Sequence, residues 1–533
     1  KTNERNRQTL SGRDASSTAA DAFSLQRDTG AEVVSASTFN RKAVFFLAAI
    51  LMVLLAGGFF SFWNLTAKRQ VGSIAVMPFL NLSGDVSIDY LSDGMTENLI
   101  RSLSNIPDLS IKARSTVFTY KGKETSPKQI GEELTVDAVL IGKLLHTGDE
   151  LKLDIELVDA VSQNLLWSQS YSRKLTDLAA VQSDIARDVA DRLRPELSTA
   201  EQNQVAKNYS NSSEAQQLYL KGRFHWNKRN VKDLYRAADY FSQAIEKDSK
   251  YALAHAGLAD SYALIPLYGN LRPHEFKPKA KQSALKALEI DGNLAEAHAS
   301  LGYIINTYDF DWDGAEREYK TAIRLNPNYP TARQWYAEHL AFRGMETESL
   351  EQISIALELD PLSLVINRMK GNVLMFAKRY DEAIAQLVKT GEMYPENALV
   401  RINLGEAFTA KGMDSEALDQ YLTGFKLEGK DAQEIQRFSD AYSSQGWSGF
   451  WTEYLASLLA LQNAAGPSEY LNNESIAYAY ASTKNKEKTL EYLARAYDER
   501  DPGLTTIKMT EAYDFLNDDP RYRELIKKIG LPE

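Results

Sequence analysis

Asp309, Asp311, Asp313 and Gly314 have the residue types and spacing of the opening of a calcium loop, with side-chain oxygens at alternate positions and a glycine at the sharp turn. The twelfth position is Lys320. A cation there replaces the bidentate carboxylate, so these acids are read instead as the start of a helix, where the dipole favours negative charge. Among six histidines, His255 and His298 each stand three residues before a leucine, Leu258 and Leu301, and are expected to pack between helices. The sequence has no HExxH pair, GxSxG elbow or Walker loop, and no Gly-rich, HRD-type or DFG kinase motif. It has no cysteine to serve as nucleophile, thiolate ligand or disulfide partner. No catalytic residue, metal ligand or cofactor site is assigned.

Two other clusters invite a chemical reading. Asp93, Thr96 and Glu97 lie near the start of a predicted helix, where Ser92 and Asp93 suit the entrance and acids suit the first turn. Lys112, Arg114, Lys121, Lys123 and Lys128 form a basic stretch with Phe118 and Tyr120 interleaved, a composition used on single-stranded nucleic acid. The net charge of −11 argues against a phosphate backbone as the main partner. A solvated rim, or a peptide or phospholipid contact, is the expectation for that stretch.

The elements that position these residues repeat. Steps of 34 from Ala322 reach Ala356, Thr390 and Gly424, and the same step links Ala315, Ser349, Ala383 and Ala417, then Tyr319, Ile353, Leu387 and Tyr421. Pro327, Pro361 and Pro395 keep the register, with Gly429 closing it. Small residues let two helices approach, a large apolar residue fills the space beside them, and proline ends the pair. A period of 34 with these features is that of a tetratricopeptide array. Upstream the steps lengthen to 35 and 43, and the surplus, near Ile265 to Lys277 with Pro266, Gly269, Pro273 and Pro278, is expected to bulge as a loop. Residues 213–505 are read as a solenoid of about eight helical pairs. Residues 506–533, with apolar residues at helical spacing from Tyr513 to Leu531, are read as a cap on its last open face.

The composition, 44% hydrophobic and 25% charged over 533 residues, is that of ordinary globular protein with room for several domains. Residues 1–40 are rich in Ser, Thr, Ala and charge and read as a flexible linker; beginning at Lys1, the chain is expected to be a fragment or a processed product. Ala43 to Trp63 has Ser61 as its one clearly polar residue and is long enough to cross a hydrocarbon core of about 30 Å, so it is read as a transmembrane helix. Phe59, Phe60, Phe62 and Trp63 form its aromatic belt, and Arg41 and Lys42 set a slight bias toward N-terminus inside.

Residues 71–200 carry different periods. Ser73 to Phe79 reads as a strand, Leu91, Met95, Leu99 and Leu103 as one helix face, and Ala138 to Leu157 as a hairpin turning at Gly148-Asp149. Leu165 to Tyr171 reads as a further strand, and Leu178, Val181, Ile185, Val189 and Leu193 stripe a long helix, which makes a small α/β domain. The segments IAVMPFLNLSGD, YLSDGMTENLI, SIKARSTVFTYKGKE and ELVDAVSQNLLWSQSY resemble the TolB N-terminal, or FlgO-like, domain of bacterial envelope proteins. With YALAHAGLADSYAL in the repeats, the order of linker, membrane helix, α/β domain and solenoid resembles the non-catalytic C-terminal portion of acidobacterial-type membrane serine/threonine protein kinases. That resemblance implies a kinase domain upstream of Lys1. Similar exteriors follow winged-helix regulators of the CadC type and class III adenylate cyclases, which stand as alternatives.

The expected fold class is thus multidomain: one transmembrane helix, a small α/β domain and an all-α tetratricopeptide-repeat solenoid. With no enzyme in these residues, the expected function is binding on the solenoid's concave face. Tyr262, Tyr303, Trp335, Tyr336 and Asn403, early in their repeats, are the candidate peptide contacts, each with a core role as its alternative. The expected partners are a protein or peptide on the repeats, the membrane through Ala43 to Trp63, and a second copy in a homodimer; nucleic acid and cofactors are not expected. The expected place is the bacterial inner membrane, single-pass, with the C-terminal region outside the cytoplasm.

Overall fold

The computed structural model describes residues 71–464 and 470–532, with Phe45 and Met52 as isolated helical positions. The chain divides into two compact units, Lys1–Arg69 and Gln70–Glu533. Apart from those two positions, the span Ala43 to Trp63 lies outside the described residues. Among the described residues no helix is long and apolar enough to cross a membrane.

The second unit opens with a six-stranded sheet: β1 (Ser73–Val76), β2 (Leu80–Asn81), β3 (Ser110–Ile111), β4 (Ala138–Thr147), β5 (Glu150–Asp159) and β6 (Leu165–Lys174). The order is β3-β1-β4-β5-β6, with β2 also on β4; β1 runs parallel to β3 and β4, and β4, β5 and β6 are antiparallel. The alternation predicted for β5 is present, with Leu151, Leu153, Ile155 and Leu157 all facing the core. The first strand ends at Val76 rather than Phe79, because Phe79 turns inward onto Gly142, where an added Cβ would lie 2.3 Å from the ring. Helices α1 (Asp89–Leu103) and α4 (Leu178–Leu193) bury their predicted stripes, and α2 (Arg114–Val117) and α3 (Pro127–Leu134) lie between. Helix α5 (Thr199–Val205), entered through a Ser198/Glu201 capping box, leads to the repeats.

The repeats are antiparallel pairs: α6 (Ser213–Trp226) with α7 (Val231–Lys247), α8 (Ala252–Gly269) with α9 (Pro273–Ile290), α10 (Ala295–Ile304) with α11 (Trp312–Leu325), and α12 (Pro330–Phe342) with α13 (Glu346–Leu359). They continue as α14 (Leu364–Phe376) with α15 (Tyr380–Met393), and α16 (Ala398–Ala410) with α17 (Asp414–Leu427). Next, α18 (Ala432–Ala464) is broken into its own pair at Gly446, with φ 62° and ψ −151°, and α19 (Asn473–Ser482) packs with α20 (Lys486–Glu499). Ala315, Ser349, Ala383 and Ala417, and Ala322, Ala356 and Thr390, have no exposed surface at all. Tyr319 fills the space left by Gly302, as Leu387 does at Gly371.

The expected loop from Ile265 to Lys277 is not one. The surplus residues lengthen α8 and α9 into a longer pair, with Pro266 in the last turn of α8, Pro273 at the first position of α9 and Pro278 one turn later. The connection is short and begins at Asn270, in the left-handed region at φ 49°.

The array does not end as an open rod. Helix α21 (Pro520–Ile529) packs on α20 and also returns to the third pair, where the Trp312 indole N–H donates to Ile529 O at 2.6 Å. Phe310, Trp312 and Phe342 join Leu493, Leu516, Leu525 and Ile529 in one apolar cluster. Arg272 pairs with Glu499 at 2.7 Å, Tyr470 N donates to Asn270 O at 3.1 Å, and Tyr380 donates to Glu511 at 2.5 Å. The last pair and its tail therefore fasten to pairs two to five as well as covering their own neighbour.

Candidate functional site

The acidic run near Asp311 folds as a helix start. Asp311 caps α11 by accepting from Gly314 N at 2.9 Å, Asp309 pairs with Lys281 at 2.6 Å, and Lys320 pairs with Glu316 at 2.7 Å. Among the described residues no group of three or more His, Asp or Glu side chains converges to hold a metal.

His255 and His298 are half-buried and tie turns together rather than packing in the pair interface. The Nε2 of each meets a carbonyl six residues back, Ser249 O at 3.2 Å and Gly292 O at 3.0 Å. Arg333 and Asn367 make the same contact, donating to Pro327 O at 3.0 Å and Pro361 O at 2.9 Å. A polar residue on the second helix closes three of these ties, His298 with Glu318 at 2.5 Å, Arg333 with Gln352 at 2.8 Å and Asn367 with Gln386 at 3.0 Å, and the next pair has the matching contact of Arg401 with Gln420 at 3.4 Å. These partners are 34 apart in sequence, so the ladder was countable; its mixed residue types concealed it.

Asp93, Thr96 and Glu97 do not stand at a helix entrance. Helix α1 starts at Asp89, so Ser92 and Asp93 fall inside it and are buried. Thr96 Oγ1 accepts from Phe79 N at 2.9 Å, and Asp93 pairs with Lys121 at 2.6 Å. Glu97 reaches Arg114 at 3.0 Å, and crosses to the first repeat at Arg223, 2.6 Å, and Asn227, 2.7 Å. Burial would raise its pKa, but Arg223 and Arg114 outweigh burial and hold it below the usual carboxylate range. Beside it, Gly94 lets α1 approach α6 so closely that a Cβ would sit 2.8 Å from Leu220.

The basic stretch is not a solvated rim, because its first half is spent on the repeats. Lys112 is buried and donates to Glu358 O at 2.8 Å, Ala113 N donates to Leu359 O at 2.9 Å, and Thr116 donates to Asp360 at 2.7 Å, where Ser115 also binds. The same edge meets earlier inter-pair turns: Ser210 with Asp248 at 2.6 Å, Lys207 with Asp291 at 2.8 Å, and Asn328 with Leu109 O at 2.8 Å. Asp248, Asp291 and Asp360 hold one repeat position at the end of the second helix, so the α/β part rests on a ledge of successive turns. This explains why residues 71–200 and the solenoid fall into one compact unit.

The five candidate peptide contacts divide. Tyr303 and Trp335 are buried and stacked with ring centroids 4.8 Å apart, and Lys277 lies over the Tyr303 ring at 4.3 Å. Tyr336 is buried against Tyr319 and His339. Tyr262 is half-buried beside Phe276. Asn403, also half-buried, accepts from Arg368 at 3.0 Å and donates to Glu406 at 2.9 Å. It thus opens a stripe that sequence reasoning missed: Asp260, Tyr303, Glu338, Asn372 and Glu406 occupy one position on the first helices, at steps of 43, 35, 34 and 34.

Burial dominates that stripe. It pushes Asp260 up to about 6 and Glu338 up to about 7, against the pull of Arg223 and Gln334 respectively, and it raises Glu406. Glu338 accepts from Gln334 at 2.8 Å, while Asn372 Oδ1 is buried with no hydrogen-bond partner among the described residues. Carboxyls and amides held this way have acceptor capacity to spare, at a desolvation cost that a ligand's N–H or ammonium groups would offset.

Residues 69–188 match the model of the HilA/YgeH-like transcriptional regulator family, second domain. The chain is similar to "Putative adenylate cyclase 3" of Rhizobium meliloti (strain 1021), 30% identical over 237 residues, covering 44% of this chain and 40% of that protein. It is also similar to the transcriptional regulator HilA of Salmonella typhimurium, 22% identical over 313 residues, covering 58% of this chain and 55% of HilA. This chain therefore spans roughly half the length of these curated relatives or less. A crystal structure of YrrB, a TPR protein with an unusual peptide-binding site, matches with a TM-score of 0.27 and 20% identity, over 38% of this chain and 99% of YrrB. The described residues form a tetratricopeptide-like solenoid carrying an α/β part similar to the second domain of HilA/YgeH-like regulators.

Proposed function

We propose that this chain is the partner-binding, regulatory module of a larger signalling protein. The stripe Asp260, Glu338, Asn372 and Glu406 carries the reading, because it repeats acceptor groups at the spacing of the helices, buried at Asp260 and half-buried at the other three, and so suits an extended peptide with several donors. Membrane anchoring through Ala43 to Trp63, with the repeats outside the cytoplasm, completes the proposal, and a homodimer is the form in which binding would be relayed. Within it the α/β part is read as a TolB N-terminal/FlgO-like unit, whose ledge contacts couple the solenoid to the chain upstream.

The output domain is read as lying before Lys1. The similarity to HilA and to the putative cyclase supports a transcription-regulator or cyclase output more directly than the serine/threonine kinase suggested by domain order. The upstream sequence decides among the three. Chemical cross-linking in the native host, comparing the parent chain with Glu338→Gln/Glu406→Gln, tests the stripe: loss of one partner band in the variant supports it, and an unchanged set of bands refutes it. A reporter fused after residue 533 tests orientation, and activity of a cytoplasm-only reporter there would sink the exterior placement.

A further inference from the structure

The sheet of the α/β part ends differently on its two sides. At one edge β3 is two residues long, and the chain after it is bound to the repeats through Lys112 and Ala113. At the other, β6 is ten residues long, and among the described residues no strand lies beyond it. Edge strands are normally blunted by proline, by shortness, by a bulge or by charge. Strand β6 has neither proline nor glycine, its bulge falls before Trp167, and its two charges, Arg173 and Lys174, stand together at its end.

Backbone direction along β6 is fixed by its surroundings. Leu175 N donates to Asp149 O at 2.9 Å, which turns the odd-numbered positions back to Trp167 toward β5 and the even-numbered ones outward. The carbonyls agree. Leu166 O accepts from Arg192 at 2.7 Å, Ser170 O from Gln169 Nε2 at 3.4 Å and Ser172 O from Arg173 at 2.9 Å, so all three point away from β5. Ser168, Ser170 and Ser172 are exposed, and their N–H and C=O groups line the free edge.

We infer that β6 pairs antiparallel with β6 of a second copy, about a two-fold axis at Ser170. This names the surface of the homodimer in the reading above and rests on that part of it. Centring on Ser170 sets Ser168 opposite Ser172 and Leu166 opposite Lys174, which uses the strand from end to end. On the side facing the helices, Arg173 falls opposite the half-buried Trp167 of the second copy, and leaves Ser172 O and a 3.9 Å contact with Asp184 to lie on that ring. Each copy gives what the other receives, and no like charges are opposed. A centre at Ser172 would bring the two cationic ends together, and one at Ser168 would set the bulge opposite Ser170. Because β3 is short and tied to the repeats, pairing stops at two copies.

The chain has no cysteine, so a single one reports on a single contact. In this register the two Ser170 Cα atoms would lie about 5.5 Å apart, within disulfide reach. Two Ser168 or two Ser172 positions would lie roughly 14 Å apart. Mild oxidation of the full chain in native-host membranes should therefore give a covalent dimer with Ser170→Cys at least about tenfold faster than with Ser168→Cys, Ser172→Cys or the exposed turn variant Ser162→Cys. Ser168→Cys and Ser172→Cys together in one chain should cross-link as Ser170→Cys does. Ser170→Pro removes an outward N–H that its own sheet does not use. It should keep its near-UV circular dichroism, while sedimentation equilibrium in detergent shows the mass fall from dimer to monomer. If Ser170→Pro does not fold, the cysteine comparison decides. Equal cross-linking at all single positions, or a dimer that persists in folded Ser170→Pro, would overturn the β6 surface and leave the homodimer to another face. A monomeric parent chain would overturn both, and none of these outcomes touches the peptide stripe.

Discussion

Two seams hold this unit together, and they are made differently. Where the α/β part meets the repeats, charged and hydrogen-bonded contacts are added to a shared apolar core: Glu97 between Arg114 and Arg223 at the first pair, and Lys112 on Glu358 O and Thr116 on Asp360 at the fourth. Where the tail meets the third pair, the contact is apolar, with Phe310, Trp312, Leu525 and Ile529 in one cluster and one indole hydrogen bond. Paired charges fix register but bring little net stability once desolvation is counted, whereas apolar area stabilises in proportion to its burial. The first seam thus adds aligned charges to shared apolar burial, whereas the second rests on apolar area with a single indole hydrogen bond.

The largest effect is expected at the fastening. Trp312→Ala should cost about 4 kcal/mol, from lost apolar burial and the cavity left behind, read as a lowered unfolding midpoint with early proteolytic release of the tail. Glu97→Ala should cost about 3 kcal/mol, because it strands two arginines in the seam. Replacing Glu97, Arg114 and Arg223 together by apolar residues of similar volume should recover most of that loss, and failure to recover would mean that the charges do more than align.

Acid separates the seams further. His339, fully buried and 5.7 Å from the Trp312 ring, is pushed down to about 4 by burial and then by Arg343. It stays neutral in the folded state while the unfolded state takes up a proton below about 6.5, so its contribution is complete above that pH and is lost progressively toward 4. The loss is roughly 3 kcal/mol, and denaturant titrations of the parent and His339→Leu should converge as pH falls through that window. Glu97 is held below the carboxylate range, so its seam keeps its stability above about 4.5 and loses it only as pH falls through the lower folded value. The His339 site should therefore lose its stability at a higher pH than the Glu97 pairs do. The smallest effect is expected at one turn tie: Asn367→Ala should cost about 1 kcal/mol and leave both seams intact, checked by thermal unfolding and the same proteolysis.

How much of this was legible follows from how local each feature is. The helix-pair ladders were visible because Ala322 to Gly424 and Tyr319 to Tyr421 repeat one packing problem, and each solution involves residues close in sequence. Neither seam was, because Trp312 to Ile529 spans 217 positions and Lys112 to Glu358 spans 246, with no periodicity to connect them. The prolines near Ile265 misled for another reason: Pro273 opens a helix, where a missing N–H costs nothing, and Pro266 lies inside the last turn of one at the cost of an intrahelical hydrogen bond, yet each looks like punctuation in the sequence. For the stripe, Asn403 and Tyr303 stand out by residue type, whereas Glu338 and Glu406, at the position of Tyr303 in later repeats, carry no such cue.

The return of α21 to the third pair changes the statistical mechanics of the array. A linear solenoid is a one-dimensional chain of units, each stabilised by its neighbours, so its terminal units fray first and independently. Joining the last unit to the third turns that stretch into a ring, in which no unit is terminal and none opens without straining all the others. Such a ring stores a fixed pitch, and a ligand seated inside it would meet a frame whose diameter is set in advance rather than a spring that adjusts to whatever it holds.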